Sequence, residues 1–215
     1  MGKKKIDKQK EVKPLADAII ESTKKSAKKY DELVVKFKID EDAVLPKYAH
    51  DGDVGMDVTA TAVEYIPEKD AYLYHTGLRC ETEKCAGCYL LPRSSNTKTD
   101  SYLPNSIGLI DTFLYRGEMC FIFKNRTDIE VLSMAAALII IGEMPFWKKP
   151  FVNFRKIWDE EATKIRERAL DFAPYKVGDR IGQMVFFRHP LVKIEQVDEL
   201  SETVRGEGGF GSTGK

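Results

Sequence analysis

From Leu33 to Arg126 the chain is a succession of short runs rich in Val, Ile, Tyr and Phe, cut at "HDGD", "PEKD", "KCAG" and "PNS". β-Branched and aromatic residues suit a pleated, half-buried surface, and Gly, Pro, Asn and Asp supply the turns between them. "VVKFKI", "CYLLP", "EMCFIF" and "QMVFF" are the clearest strand candidates. Many short strands with no long helix before about residue 130 predict an all-β antiparallel architecture: a sandwich, a barrel or a jelly roll. A chain of 215 residues suffices for one buried core with appendages, and is short for two full domains.

Three segments depart from this rhythm. Residues 1–33 form a basic extension: its first 30 positions hold ten Lys against four acidic residues, so a chain of zero net charge carries six negative charges over the remainder. Its first 13 residues are polar and low in complexity, and an amphipathic helix is expected from Pro14 to about Asp31. The neutral balance argues against a dedicated nucleic-acid binder. Residues 131–173 read as a partly helical insertion. "VLSMAAALIII" precedes a segment in which Trp158, Ala162, Ile165, Ala169 and Phe172 recur at helical spacing, with Glu160 and Lys164 as an i,i+4 pair and Pro174 as terminator. The apolar run Val131 to Ile141 is about half the length that crosses a bilayer, so no membrane span is expected. Strand pattern then resumes at Tyr175 and continues to about Val197, before a glycine-rich arm from Arg205 to Lys215.

Cys80, Cys85 and Cys88 fall within nine residues, which raises a zinc reading with His75 or Cys120 as fourth ligand. The plainer expectation is reduced thiols on and beside a tight hairpin turning at Ala86 and Gly87, in a reducing compartment.

Three stretches carry chemistry. "PRSS", Pro92 to Ser95, sets a guanidinium and two hydroxyls after an apolar strand, a combination that suits an anion. "NSIGLIDTFLYRGE", Asn105 to Glu118, places a single carboxylate, Asp111, at a strand end after Gly108, with Tyr115 beyond it. That arrangement suits a water-orienting base or, equally, a carboxylate that starts a turn. The arm "RGEGGFGSTG" contains Gly206, Gly208 and Gly211 at GxGxxG spacing, but a dinucleotide fingerprint needs a strand before it and a helix after it, and only four residues follow Gly211. A phosphate-covering arm with Phe210 free to stack on a base fits better.

Taken together with "DVGMDVTA" (Asp53 to Ala60) and "GDRIGQMVF" (Gly178 to Phe186), these stretches resemble, in family order, the five motifs of the trimeric dUTPases. The resemblance covers roughly Val34 to Arg126 and Tyr175 to Lys215. It implies a dUTPase-like jelly-roll or β-clip barrel carrying the helical insertion, and a homotrimer that hydrolyses dUTP to dUMP and pyrophosphate with Mg2+. It further implies that Asp111 activates the water, that Tyr115 packs beneath the deoxyribose, and that Asn105 with the backbone from Gly108 to Ile110 reads uracil. Arg93, Ser94, Ser95 and Gln183 would meet the phosphates, and Asp57 would support the metal through water. Arg205, Phe210, Gly211, Ser212 and Thr213 would close over the substrate. A cytoplasmic setting follows, the host cytoplasm if the source is viral, with the nucleus also open.

One departure concerns spacing: three residues, Thr112 to Leu114, separate Asp111 from Tyr115 where the family has two. A one-residue bulge would keep Tyr115 in place, whereas without it Phe113 would meet the sugar. Two alternatives stand beside hydrolysis. A dCTP deaminase would need a Glu where this chain has Ile122, and a regulatory binder would act on a protein partner through the insertion.

Overall fold

The computed structural model describes residues 32–149 and 152–204. The helix expected between Pro14 and Asp31, and the arm residues Arg205, Phe210, Gly211, Ser212 and Thr213, lie outside the described residues. Met1–Val34 and Val35–Lys215 are separate units, and everything below belongs to the second.

Among the described residues, ten strands form three antiparallel sheets. β1 (Lys36–Ile39) pairs with β5 (Leu78–Glu81). A four-stranded sheet has the order β2 (Met56–Thr59), β10 (Arg180–Arg188), β6 (Ala86–Pro92), β8 (Gly108–Ile110). A second has the order β3 (Ala62–Ile66), β4 (Ala71–His75), β9 (Phe121–Asn125), β7 (Ser101–Tyr102). Apart from the β3–β4 hairpin, every neighbour in these sheets is distant in sequence, the long-range pairing of a jelly-roll sandwich. Inward-facing residues of these strands, with Met119 just before β9, make one core of Val58, Tyr74, Leu78, Cys88, Leu90, Met119, Phe121, Phe123, Ile181 and Met184.

The sheets approach too closely at one point for a side chain on both. A Cβ at Gly182 would collide with the Phe121 ring and meet the Leu91 carbonyl oxygen at 3.0 Å, so this position of β10 must be glycine.

The insertion is a helical hairpin, α1 (Ile129–Glu143) and α2 (Phe154–Glu167). Asp128 caps α1 by accepting from the Val131 N–H, and Asp70 accepts from the Ile129 N–H at 2.9 Å, a carboxylate at the positive end of the helix. Asn153 caps α2 through the Lys156 N–H. The Trp158 indole donates to Ser133 Oγ at 2.9 Å and thereby joins the two helices. Return to the body is fixed by Tyr72, whose hydroxyl donates to the Ala169 carbonyl, and by Tyr74. The fully buried Tyr74 hydroxyl donates to the Tyr175 carbonyl and accepts from the Tyr175 N–H, both at 2.9 Å.

Three local expectations are corrected. Ala86 and Gly87 open β6; the turn is at Thr82–Cys85, where Cys85 adopts φ 65°, and β5 and β6 lie in different sheets and form no hairpin. β10 ends at Arg188 and residues 189–197 form no strand, since Pro190 has no N–H to continue a ladder. Lys164 meets Glu161 at 2.6 Å, and Glu160 faces Lys156. Among the described residues, Cys80, Cys85 and Cys88 are not gathered into one ligand set: Cys80 and Cys88 are buried in the core, and Cys85 sits at the turn. Burial pushes the Cys80 thiol up to about 11 and the Cys88 thiol up to about 12, as for inert core thiols.

Tyr74→Phe strands the buried N–H and carbonyl of Tyr175 together. We expect a loss of about 2 kcal/mol in urea unfolding; a change under about 0.5 kcal/mol would show that the hydroxyl does not hold the returning chain.

Candidate active site

Three strands place their side chains at one level at the end of the β2–β10–β6–β8 sheet. Gln183 on β10 stands opposite Asp57 on β2 and Leu91 on β6, and Arg93 follows directly after β6. Arg93 Nε donates to Asp57 Oδ1 at 2.9 Å, Gln183 Nε2 to the same oxygen at 3.2 Å, and Arg180 Nη1 to Oδ2 at 2.8 Å. Arg93 Nη1 also donates to Ser95 Oγ at 3.3 Å, which ties the guanidinium to the short 3-10 turn Ser94–Lys98.

Asp57 is 9% exposed. Burial alone would raise its pKa, but hydrogen bonds from Gln183, Arg93 and Arg180, with the charge of Arg93, outweigh burial and hold it below the usual carboxylate range. A buried anion thus fixes two arginines and an amide in place before any ligand arrives. Arg180 is the residue that sequence reasoning missed. In a regular strand, positions 180 and 183 point to opposite faces, but the register of β10 against β2 shifts between Arg180 and Gly182. That irregularity turns Arg180 to the same carboxylate as Gln183.

The second group surrounds β8. Ser106 takes φ 60° in the turn that carries Asn105, and its N–H donates to the Leu103 carbonyl. Asn105 lines a cavity of about 470 Å³ together with Pro104, Cys120, Ile122 and Lys124. Gly108 and Ile110 pair with Leu90 and Cys88 of β6. Asp111 follows at an exposed position, and its backbone carbonyl accepts from the N–H groups of both Leu114 and Tyr115, at 2.9 and 2.8 Å.

The extra residue of this loop is absorbed in that turn rather than in a strand bulge. Thr112 is fully buried and anchors the turn through Ala86 O at 3.2 Å and Thr82 Oγ1 at 2.6 Å. Tyr115 is held by its hydroxyl, which donates to the Glu118 carbonyl at 3.0 Å, and by a ring that leaves no room for a Cβ at Gly117. Tyr115 and Phe113 are both 44% exposed.

The structure brings Arg93, Ser95, Asp57 and Gln183 together, with Ser94 in the adjoining turn, and groups Asp111 with Tyr115. It does not bring the two groups together. Ile110 pairs with Cys88, near the start of β6, whereas Arg93 lies beyond its far end. At the rise of an extended strand, five residues separate them by about 16 Å. Within one chain, the cation cluster and Asp111 cannot touch one small molecule's adjacent atoms.

A family model described as dUTPase matches residues 41–140 and 171–214. The interval it skips, 141–170, runs from the end of α1 through α2. The deoxyuridine 5'-triphosphate nucleotidohydrolase of Crocosphaera subtropica is 33% identical over 178 residues, 82% of this chain and 95% of the relative. That of Clostridium tetani is 33% identical over 186 residues, 86% of this chain and 99% of the relative. Among solved structures, the dUTPase of Staphylococcus bacteriophage 80alpha with dUPNHPP is similar in fold, at a TM-score of 0.57 and 19% identity, covering 85% of this chain and 99% of the phage protein.

Asp57 contributes stability that is present above the unfolded carboxylate pKa, about 3.9, and lost as pH falls through its lower folded value. Asp57→Asn should cost about 2 kcal/mol at pH 7, and urea unfolding from pH 7 to pH 2.5 should show the difference from the parent closing in acid. A cost that stays constant with pH would mean that the charge of Asp57 is not what holds the arginines.

Proposed function

The chain belongs to the dUTPase family, and we propose that it hydrolyses dUTP to dUMP and pyrophosphate at sites shared between subunits of a homotrimer. The observation that carries this reading is the separation of Asp111 from Arg93 by the length of β6. Both groups are well formed, each lacks the other's chemistry, and closed symmetry lets the end of one chain face the opposite end of the next.

In such a site Asp111, exposed on a turn clasped by its own carbonyl, accepts a proton from the water that attacks the α-phosphorus. Arg93, Ser94, Ser95 and Gln183 of another chain receive the phosphates, and the charge leaving on pyrophosphate meets a guanidinium already oriented by Asp57. Tyr115, locked against Gly117 and Glu118, forms the floor for the deoxyribose, with Asn105 and the Gly108 to Ile110 backbone at the base. Arg205, Phe210, Gly211, Ser212 and Thr213 cover the substrate and exclude water. Magnesium, when bound, supplies charge neutralisation on the triphosphate oxygens, as suits a hard ion that retains its waters. Both oxygens of Asp57 already accept from Arg93, Gln183 and Arg180, so Asp57 reaches that ion through water only. Ile122, apolar beside Asn105, leaves a deaminase without its acid. Four free cysteines fit a reducing cytoplasm or nucleus, and among the described residues no helix is long and apolar enough to cross a membrane.

Asp111→Asn should lower turnover by about 3 to 5 kcal/mol in activation free energy while the fold persists, as read by pyrophosphate release from dUTP. Mixed under subunit exchange, Asp111→Asn chains and Arg93→Ala chains should regain activity, because some hybrid sites combine both intact ends. Mixtures as inactive as their parents would refute the shared site.

A second role rests on α1 and the residues after it. Leu138, Ile139, Phe146 and Trp147 are more than half exposed, an apolar patch suited to a protein partner. Replacing the four by Ser should leave trimer and hydrolysis within about twofold, roughly 0.4 kcal/mol, in sedimentation and turnover measurements. Loss of the trimer would make the patch a subunit contact.

A further inference from the structure

Three metal-binding side chain types converge beside the β4–β9 ladder, on side chains to which the proposed hydrolysis gives no role. His75 ends β4, and Glu118 and Cys120 lie on the segment that enters β9. His75 Nδ1 is 2.9 Å from Glu118 Oε2 and 3.9 Å from Cys120 Sγ, and the three ligand atoms all lie within 4.8 Å of one another. We propose that His75, Glu118 and Cys120 form a binding site for a borderline divalent transition ion of the zinc and cobalt(II) type, with a fourth position open to solvent.

The geometry is close to what such an ion requires. With bond lengths of about 2.0 Å to nitrogen and oxygen and about 2.3 Å to sulfur, the edges of a tetrahedral site are about 3.3 Å between N and O and about 3.5 Å between N and S. The observed 2.9 and 3.9 Å need shifts of only a few tenths of an ångström, within side-chain reach.

The surroundings support the same ligands. Glu118 Oε1 accepts from the backbone N–H groups of Thr76 and Gly77, at 2.9 and 2.7 Å, which holds the carboxylate with Oε2 presented to the site. On the other side of the imidazole, Nε2 is 3.8 Å from Glu64 Oε1, the outer carboxylate that commonly orients a metal-bound histidine. Access runs through a cavity of about 400 Å³ lined by His75 and Glu118 with Asp40, Glu41 and Asp42, a negative vestibule that concentrates cations.

Two other readings of the trio fit less well. A thiol–imidazole–carboxylate triad would need the ring nitrogen facing Cys120 free to take the thiol proton, whereas Glu118 Oε2 occupies Nδ1 at 2.9 Å, ahead of Cys120 Sγ at 3.9 Å. Nor does the site suit magnesium, which prefers an octahedron of oxygens over sulfur and imidazole. It is therefore separate from the ion expected on the triphosphate.

The test uses the full-length protein, stripped with a chelator and titrated with Co2+ in the absence of nucleotide, so its outcome is independent of hydrolysis. A thiolate-to-cobalt charge-transfer band should saturate at one cobalt per chain, bleach on addition of Zn2+, and resist a large excess of Mg2+. Cys120→Ser should lose the band, Cys85→Ser should keep it, and His75→Gln should weaken cobalt binding at least tenfold. Glu118→Gln, which retains an acceptor for the Thr76 and Gly77 N–H groups, should weaken it similarly with an unchanged melting temperature. A parent protein without the band, or a band that survives Cys120→Ser, would overturn the site.

Discussion

The two hydrogen bonds between the Tyr74 hydroxyl and the Tyr175 backbone decide where β10 begins, and β10 is the strand on which the rest depends. It pairs with β2 on one side and β6 on the other, so without it those two strands share no ladder. The hydroxyl sits inside an aromatic cluster in which Tyr74, Phe123 and Tyr175 meet edge to face at centroid distances of 5.1 to 6.0 Å. A buried polar group in such a setting is stabilising only when both its donor and acceptor capacities are used, as they are here. The same tyrosine therefore closes off the helical hairpin and aligns Gln183 with Asp57. A long insertion is tolerated because its two ends are pinned independently, at Asp70 on entry and at Tyr72 and Tyr74 on return.

Electrostatics at the cation cluster works through the same strand. Asp57 would be an expensive group to bury alone, and Arg93 and Arg180 would repel one another without it. Joined, they form a preorganised surface with net positive charge, rigid enough that an anionic ligand need not order it. Arg93 is then both a partner of Asp57 through Nε and a member of the serine turn through Nη1. A lysine, with one compact charge and no planar fork, could not hold both contacts in a fixed plane.

Much of this was legible in the sequence because the signals were local. Strand runs, the antiparallel class and the helical insertion followed from patterns within about ten residues, whereas Gln183 and the role of Tyr115 entered only through the resemblance to the trimeric dUTPases. What escaped was set by long-range pairing. Strand alternation alone would turn Arg180 away from Gln183, and only the register shift beside β2 brings both to Asp57. Cys80, Cys85 and Cys88 looked like one cluster because spacing along the chain conceals that β5 and β6 enter different sheets. His75 and Cys120, 45 positions apart, meet for the converse reason: β4 and β9 are neighbours in space. Strand termination was likewise misplaced, since the apolar residues after Pro190 keep the composition of a strand without a partner to pair with.

The order β2, β10, β6, β8 has a consequence for synthesis on the ribosome. The strand between β2 and β6 is the last to be made, so these two neighbours leave the exit tunnel each with an edge still open. Between β8 and β10 lie the second sheet's last strand and the whole helical hairpin. At roughly 5 to 20 residues per second, β6 waits on the order of 4 to 18 s for its partner, and β2 longer. During that interval the nascent chain is a candidate for strand pairing with a neighbouring polysome product, or for capture by a chaperone. The hairpin can fold in microseconds while the sheet waits, since its contacts are local.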